Sequence, residues 1–242
     1  MAKKVFLDPG HGGSDSGAVA NGLKEKDLTL KIAKATEKYL KEKYEGVTVK
    51  MSRTGDSYPS LSARAKAAND WGADYYVSIH INAGGGTGFE SYIYNGSISS
   101  KTKEYQKAVH SVIAAGDGWA DRGMKRANFA VLRETRMSAI LTENGFIDRA
   151  EDAKKLKDSK FIDLLGELHA DGIAKALKLK KKSNSAPSSA PAPDPKLSGL
   201  HRVIVDGKQT GAFGVHENLI NEVSRAIKSG AKKVVVEVVE KV

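Results

Sequence analysis

No cysteine occurs anywhere in the 242-residue chain. That excludes disulfides, a thiolate nucleophile and any cysteine-ligated zinc, so a bound metal would have to be held by His, Asp or Glu. No apolar run approaches the roughly 18 to 20 residues of a membrane-spanning helix, and no membrane insertion is expected. The start, Met1-Ala2-Lys3-Lys4, runs straight into a strand-like segment without the apolar stretch and small-residue cleavage site of a secretory signal. The expectation is a protein made in the cytoplasm of its host cell. Two further absences narrow the chemistry. "GGSDSG" (12–17) offers no Gly-x-Ser-x-Gly elbow, which disfavours a serine hydrolase. "GDGWADRGMK" (116–125) lacks the Gly-Lys-Ser/Thr ending of a phosphate loop, which disfavours nucleotide binding.

What is abundant is positive charge, with a formal net of +10. Such an excess points to a polyanionic partner: nucleic acid, a membrane surface or an anionic cell wall. The basic residues are spread along the chain and are not interleaved with aromatics, so no nucleic-acid partner is expected. One boundary is plain. Lys180-Lys181-Lys182 leads into "SNSAPSSAPAPDPKLSG", whose Ser/Ala/Pro composition reads as an extended linker. The expected division is a domain over 1–180, a linker over 181–198 and a small module over 199–242.

Within the first domain, strand-like and helix-like segments alternate. Strands are expected at 5–7, 47–51, 74–82 and 88–95 and within 137–146; helices at 25–44, 61–72, 99–115 and 161–179. The alternation predicts an α/β fold, a mainly parallel twisted sheet flanked by helices. The module reads as a hairpin turning at Asp206-Gly207, a helix over 216–230 and a last strand, a small α+β unit.

In open α/β sheets, ligands gather beyond the carboxyl ends of the strands. His11 follows "VFLDPG", His80 ends "YYVSI" and Glu143 ends "SAILT"; Glu25 opens the first long helix. Two histidines, one carboxylate and an open position form the ligand set of a catalytic zinc, and a second carboxylate could serve as base and acid. Each residue also has a plainer reading. A histidine in a glycine turn can be structural, and Glu25 can be an acidic residue suited to a helix's first turn. Glu90, in "GFESYIY", either touches the constellation or faces solvent. His110 and His169, on helices, read as surface or boundary histidines.

The blocks "FLDPGHGGSDSGA", "GLKEKDLTLKIA", "SRTGD", "LSARAKAAND", "ADYYVSIHINA" and "LTENGFIDRAED" resemble, in order over residues 3 to 178, the zinc-dependent N-acetylmuramoyl-L-alanine amidases of type 3. The resemblance implies one Zn2+ ion held by His11, Glu25 and His80, with Glu143 as the catalytic carboxylate. It implies a peptidoglycan substrate, cleaved between N-acetylmuramic acid and the L-alanine of the stem peptide. "DRGMKRANFAVLR" (121–133) is similar to the family's segment near the substrate groove, which makes Arg122, Lys125 and Asn128 contact candidates. Ser138 stands where the family often has proline. Asp8 is read either as orienting His11 or as a strand terminator. The last 40 residues resemble cell-wall-binding domains of lysins from phages that infect Bacillus and its relatives. Together these imply a phage endolysin that acts on the wall after release, with an anionic wall polymer as a further partner. A mother-cell autolysin of the same activity and a non-catalytic wall-binding protein stand as the alternatives.

Overall fold

The computed structural model describes residues 2–116, 118–182, 200–213 and 231–239, together with Val223 and Ala226. The chain forms two compact units, Met1–Ser183 and Asn184–Val242. Residues 183–198 of the expected linker, and the helix expected over 216–230 apart from Val223 and Ala226, lie outside the described residues.

The first unit is built on β1 (Lys3–Pro9), β4 (Val47–Met51), β5 (Tyr75–Asn82), β6 (Phe89–Tyr94), β7 (Asp121–Ala127) and β8 (Ser138–Phe146), in the order β4-β1-β5-β8-β6-β7. The first four strands run parallel, β6 is antiparallel to β8, and β7 is parallel to β6. A two-residue hairpin, β2 (Val19–Ala20) and β3 (Leu23–Lys24), leads into the first helix. The helices are α1 (Glu25–Lys43), α2 (Leu61–Trp71), α3 (Ser100–Gly116), α4 (Ala130–Arg133), α5 (Ala150–Lys157) and α6 (Ser159–Leu177). This is the mainly parallel, helix-flanked sheet that the alternating pattern predicts.

Strand alternation divides the core into two layers. Val5, Leu7, Val77, Ile79 and Ile140 point to one face, where they meet Leu28 and Ile32 of α1, Val109 and Ile113 of α3, and Leu165 and Ile173 of α6. Phe6, Tyr76, Ala139 and Leu141 point to the other, against Ala68 of α2 and Val131 and Leu132 of α4. Local signals fix the helix ends. Ser60 Oγ accepts from Ala63 N at 3.2 Å to open α2, and Gly72, left-handed at φ 68, closes it. β7 and α5 were not expected as regular elements. β7 is an edge strand of sequence DRGMKRA with little to bury, so it lacks the apolar alternation that reveals a strand. His110 and His169 prove to be buried rather than superficial. His110 bridges Ser91 Oγ and Asp121 Oδ1 at 2.9 Å each, and His169 sits beneath β8 against Thr142 and Leu165 O.

In the second unit, β9 (Leu200–Val205) pairs antiparallel with both β10 (Lys208–Phe213) and β11 (Val234–Val239). Asp206 (φ 48) and Gly207 (φ 84) make the expected two-residue turn of the hairpin. Arg202 and Glu237, directly opposed across β9 and β11, form an ion pair at 2.6 Å.

Beyond β1 the chain leaves the sheet, and its carbonyls lose their ladder partners. Two buried arginines satisfy them. Arg53 Nε donates to Pro9 O at 3.0 Å and its Nη2 to Gly10 O at 2.8 Å. Arg64 Nη1 donates to Pro9 O at 2.8 Å and Nη2 to His11 O at 2.7 Å. Arg64 is in turn paired with Asp8 at 2.8 Å, both side chains 1% exposed. Burial alone would push the Asp8 carboxyl up, but Arg64, Ser52 and Tyr76 hold it below its ordinary value. Removing one partner of such a pair strands the other, at a cost of about 3 to 5 kcal/mol. Arg64→Ala is therefore expected to lower the stability of the first unit by that amount. Both tryptophans, Trp71 and Trp119, belong to this unit, so urea unfolding followed by tryptophan fluorescence reads the loss directly.

Candidate active site

The turn after β1 carries His11 in a left-handed conformation, φ 60, which a non-glycine residue adopts only when its surroundings impose it. Gly10 leaves room for His80: a Cβ at Gly10 would lie 2.3 Å from that ring. Gly17 (φ +62) is also forced, since its Cβ would meet Glu25 Oε2 and His11 Cδ2, each at 2.6 Å. His80 comes from the carboxyl end of β5, and Glu25 is the first residue of α1.

These three converge. Glu25 lies between the two imidazoles, with Oε1 2.9 Å from His80 Nδ1 and Oε2 3.1 Å from His11 Nε2. Each oxygen also accepts a backbone N–H, from Ile81 at 3.0 Å and Ala18 at 2.9 Å. One ligand atom from each residue falls within 4.8 Å of the others, a cluster that could hold a metal ion. Burial opposes charge on Glu25, but hydrogen bonds from His11 and His80 and their charges hold it far below the usual carboxylate range. Burial likewise pulls His11 down, and the bonds and charges of Glu25 and Asp15 outweigh it, pushing His11 up to about 9. His80 is raised in the same way, chiefly by Glu25 against its burial.

The second nitrogen of His11 is held by Asp15, not Asp8: Nδ1 lies 2.8 Å from Asp15 Oδ2. Asp15 Oδ1 accepts from Gly17 N at 3.0 Å, and Gly12 and Asp15 exchange two backbone hydrogen bonds, so the carboxylate is fixed before it meets the ring. Asp8 points into the core toward Arg64, Ser52, Tyr76 and Ser78, and neither reading given for it above holds. It lies within β1 as the anchor for Arg64.

Glu143 stands on β8 in register with His80 on one side and Glu90 on the other. Its Oε2 is buried without a hydrogen-bond partner. Burial and the neighbouring charges of Glu25 and Glu90, opposed by His80, push its carboxyl up to about 7. Glu90 does not face solvent. It is 2% exposed and accepts from Asn82, Tyr92, Arg122 and Lys125. Burial would raise its carboxyl, but Lys125, Tyr92 and Arg122 bring it down to about 2. Arg122 and Lys125 are thus brought to the constellation through Glu90, and Arg122 also stacks over Phe146 at 4.8 Å. Asn128 is not: its side chain accepts from Arg133 at 2.7 Å. A groove of about 330 Å³ runs beside His11, His80 and Glu143, walled by Tyr58, Leu61, Phe129 and Val131.

Asp15, Arg53 and Arg64 escaped the sequence reading as contributors to this site. An aspartate four residues after His11 in a glycine-rich turn was the available signal for the first. The two arginines gave none, because most of their targets are backbone carbonyls and the ion-pair partner of Arg64, Asp8, is far away in sequence.

An open α/β sheet bearing an imidazole–carboxylate–imidazole cluster at the carboxyl ends of its strands defines a domain with a candidate metal site at the usual place for chemistry. Residues 5–175 match the model of the N-acetylmuramoyl-L-alanine amidase family, and the chain belongs to that family. It is 50% identical over 232 residues to the sporulation-specific N-acetylmuramoyl-L-alanine amidase of Bacillus subtilis (strain 168), covering 96% of this chain and 84% of that protein. It is 48% identical over 211 residues to the endolysin of Bacillus phage SPP1, covering 85% and 76%. The crystal structure of an N-acetylmuramoyl-L-alanine amidase from Clostridium difficile 630 superimposes with a TM-score of 0.70 at 39% identity, over 73% of this chain and 97% of that one.

The charges of the cluster predict how metal-free protein responds to pH. His11, raised from 6.5 to about 9, contributes stability that is complete below pH 6.5 and lost as pH rises through about 9. Glu143, raised from 4.5 to about 7, contributes stability complete below pH 4.5 and lost through about 7. Glu25 is shifted the other way and matters only toward strong acid. Chelator-treated protein should therefore melt at a lower temperature at pH 9.5 than at pH 5. The drop should shrink in the double variant His11→Asn/Glu143→Gln, and an equal drop in that variant would assign the effect to other groups.

Proposed function

We propose that this chain is a peptidoglycan hydrolase that cleaves the amide between N-acetylmuramic acid and the L-alanine of the stem peptide, with one zinc ion held by His11, Glu25 and His80. The observation that carries the reading is the free, buried Oε2 of Glu143 beside a three-donor cluster. The donors fit the metal: two imidazoles and one carboxylate are a known catalytic zinc set, which leaves a position open. Bound there, zinc supplies Lewis acidity, polarising an amide carbonyl and making water a competent nucleophile near neutral pH.

The chain's own residues do the rest. Asp15 holds the Nδ1 proton of His11 and so leaves Nε2 facing Glu25 and the cluster. Glu143, with a pKa near 7, takes the proton of the attacking water at Oε2 and returns it to the departing L-alanine nitrogen. Its affinity for a proton suits both directions at neutral pH. The groove walled by Tyr58, Leu61, Phe129 and Val131 receives the substrate, and Arg122 and Lys125 present cations at the edge of the constellation. Asn128, exposed and bonded to Arg133 through its Oδ1, stands apart from these two as a contact candidate.

The biological setting we favour is host lysis, supported by the likeness to the phage endolysin. In that setting the protein is made in the host cytoplasm and reaches the wall after release. The second unit serves as a wall-binding module, raising the local concentration of the enzyme on an insoluble polymer. The same activity in a spore-forming mother cell is the second reading. The nearly end-to-end similarity to the sporulation-specific amidase favours it. A holin gene beside this one would decide for lysis.

Two experiments test the chemistry. Glu143→Ala should retain stoichiometric zinc and lose hydrolysis by two to four orders of magnitude, roughly the worth of a general acid–base. His80→Ala should lose metal and activity together; a zinc-free Glu143→Ala protein would contradict the assignment. Product analysis by mass spectrometry on purified Gram-positive peptidoglycan should show stem peptides beginning with L-alanine, released only without chelator. Cleavage within the peptide would overturn the bond assignment, and no cleavage by a zinc-loaded protein would leave a wall-binding protein.

A further inference from the structure

At the amino ends of the strands, opposite the cluster, Lys3, Lys101, Lys175 and Lys178 line a groove of about 720 Å³ whose single carboxylate is Glu104. All four lysines are exposed. Among the described residues, none has an acidic partner: Lys175 reaches Ser111 Oγ at 3.3 Å, and Lys101 lies over the Tyr105 ring at 5.2 Å. The basic surface continues past the groove through Lys180, Lys181 and Lys182, all exposed, along a segment held to α1 and its exit by Glu45 N to Lys180 O and Lys182 N to Lys43 O. So many lysines without counter-ions raise the local potential and call for a polyanion.

We propose that this groove is a docking surface of the first unit for an anionic phosphodiester polymer of the cell wall, distinct from the amidase site; it rests on the wall being where this enzyme works.

Three observations select that occupant. The large apolar side chains exposed among the described residues (Val19, Tyr58, Leu61, Met124, Phe129 and Val236) do not line the groove, so it offers no wedge to a lipid surface. Tyr105, its one aromatic, packs edge-on against Tyr75 at 4.9 Å with Lys101 over its face, so no ring is free to stack a nucleic-acid base. The cations are lysines without exception, compact point charges that hold phosphate without the paired geometry arginine imposes. A flexible polymer can then be held in many registers. The groove also stays clear of the chemistry. Lys3 begins β1 and His11 follows its end, so seven residues of strand put about 20 Å between them. A polymer held at one end of the sheet leaves the other open to peptidoglycan.

The test titrates full-length protein with purified poly(glycerol phosphate), beside K3Q/K101Q/K175Q/K178Q and a control, K31Q/K34Q/K157Q/K160Q, that removes the same charge from exposed positions elsewhere. The groove variant should bind at least tenfold more weakly, with a shallower dependence on salt, while the control changes little. Equal losses in both variants would reduce the effect to net charge, and no loss in the groove variant would place binding elsewhere; either overturns the proposal. Tighter retention of duplex DNA or anionic phospholipid vesicles than of the polymer would overturn the occupant. The polymer contains no muramoyl amide, so failure here is distinguishable from failure of the amidase reading.

Discussion

Three consecutive carbonyls, those of Pro9, Gly10 and His11, decide whether this site exists. They belong to the last residue of β1 and the first two residues of the turn that follows it. Unsatisfied there, each would cost about 1 to 3 kcal/mol. Arg53 and Arg64 satisfy all three from positions more than forty residues away. The guanidinium suits this task because its donors form a rigid fork, so one side chain can fix successive carbonyls. The left-handed φ of His11 is held by the same contacts. Strain at the turn is thus borne by a buried network whose counter-charge, Asp8, lies in the adjoining strand.

From that anchor the electrostatics follow in order. With His11 held in place, its Nε2 faces Glu25, and Glu25 in turn faces His80. One carboxylate between two imidazoles remains ionised despite its burial. Glu143 then occupies a position where its own ionisation is disfavoured, first by burial and then by Glu25 and Glu90 nearby. The fold therefore assigns opposite states to two carboxyls a few residues apart in space: one fixed as an anion, the other poised to exchange a proton at neutral pH. Environment, not residue type, separates their roles.

Much of this arrangement was legible in the sequence because it follows from periodicity and from strand ends. Apolar runs ending in His11, His80 and Glu143 imply a shared sheet edge as soon as the strands are parallel, and the observed order β1-β5-β8 makes them neighbours. What escaped was of two kinds. β7 was hidden because an edge strand need not alternate apolar and polar residues, and DRGMKRA does not. Of the two readings of Asp8, the one that had it orient His11 rested on its adjacency to the turn in sequence. Along a strand, however, successive side chains point to opposite faces, and Asp8 falls on the face with Phe6, toward Arg64 and Tyr76. The orienting carboxylate came instead from four residues on, where the chain doubles back between Gly12 and Asp15.

Glu90 shows what the site costs the fold. Placing two carboxyls in register on neighbouring antiparallel strands is unfavourable, since like charges directly opposed repel. A protein selected for stability alone would replace one of them. Here Glu90 is instead given four donors, two of them cations from the edge strand, so that it stays charged while Glu143 is left with an oxygen that nothing satisfies. The charged, poorly buried β7 contributes to that asymmetry: it delivers Arg122 and Lys125 to Glu90. The least buried strand of the six-stranded sheet thus supplies charge rather than core, and burial, with Glu25 and Glu90 near, leaves Glu143 able to carry a proton.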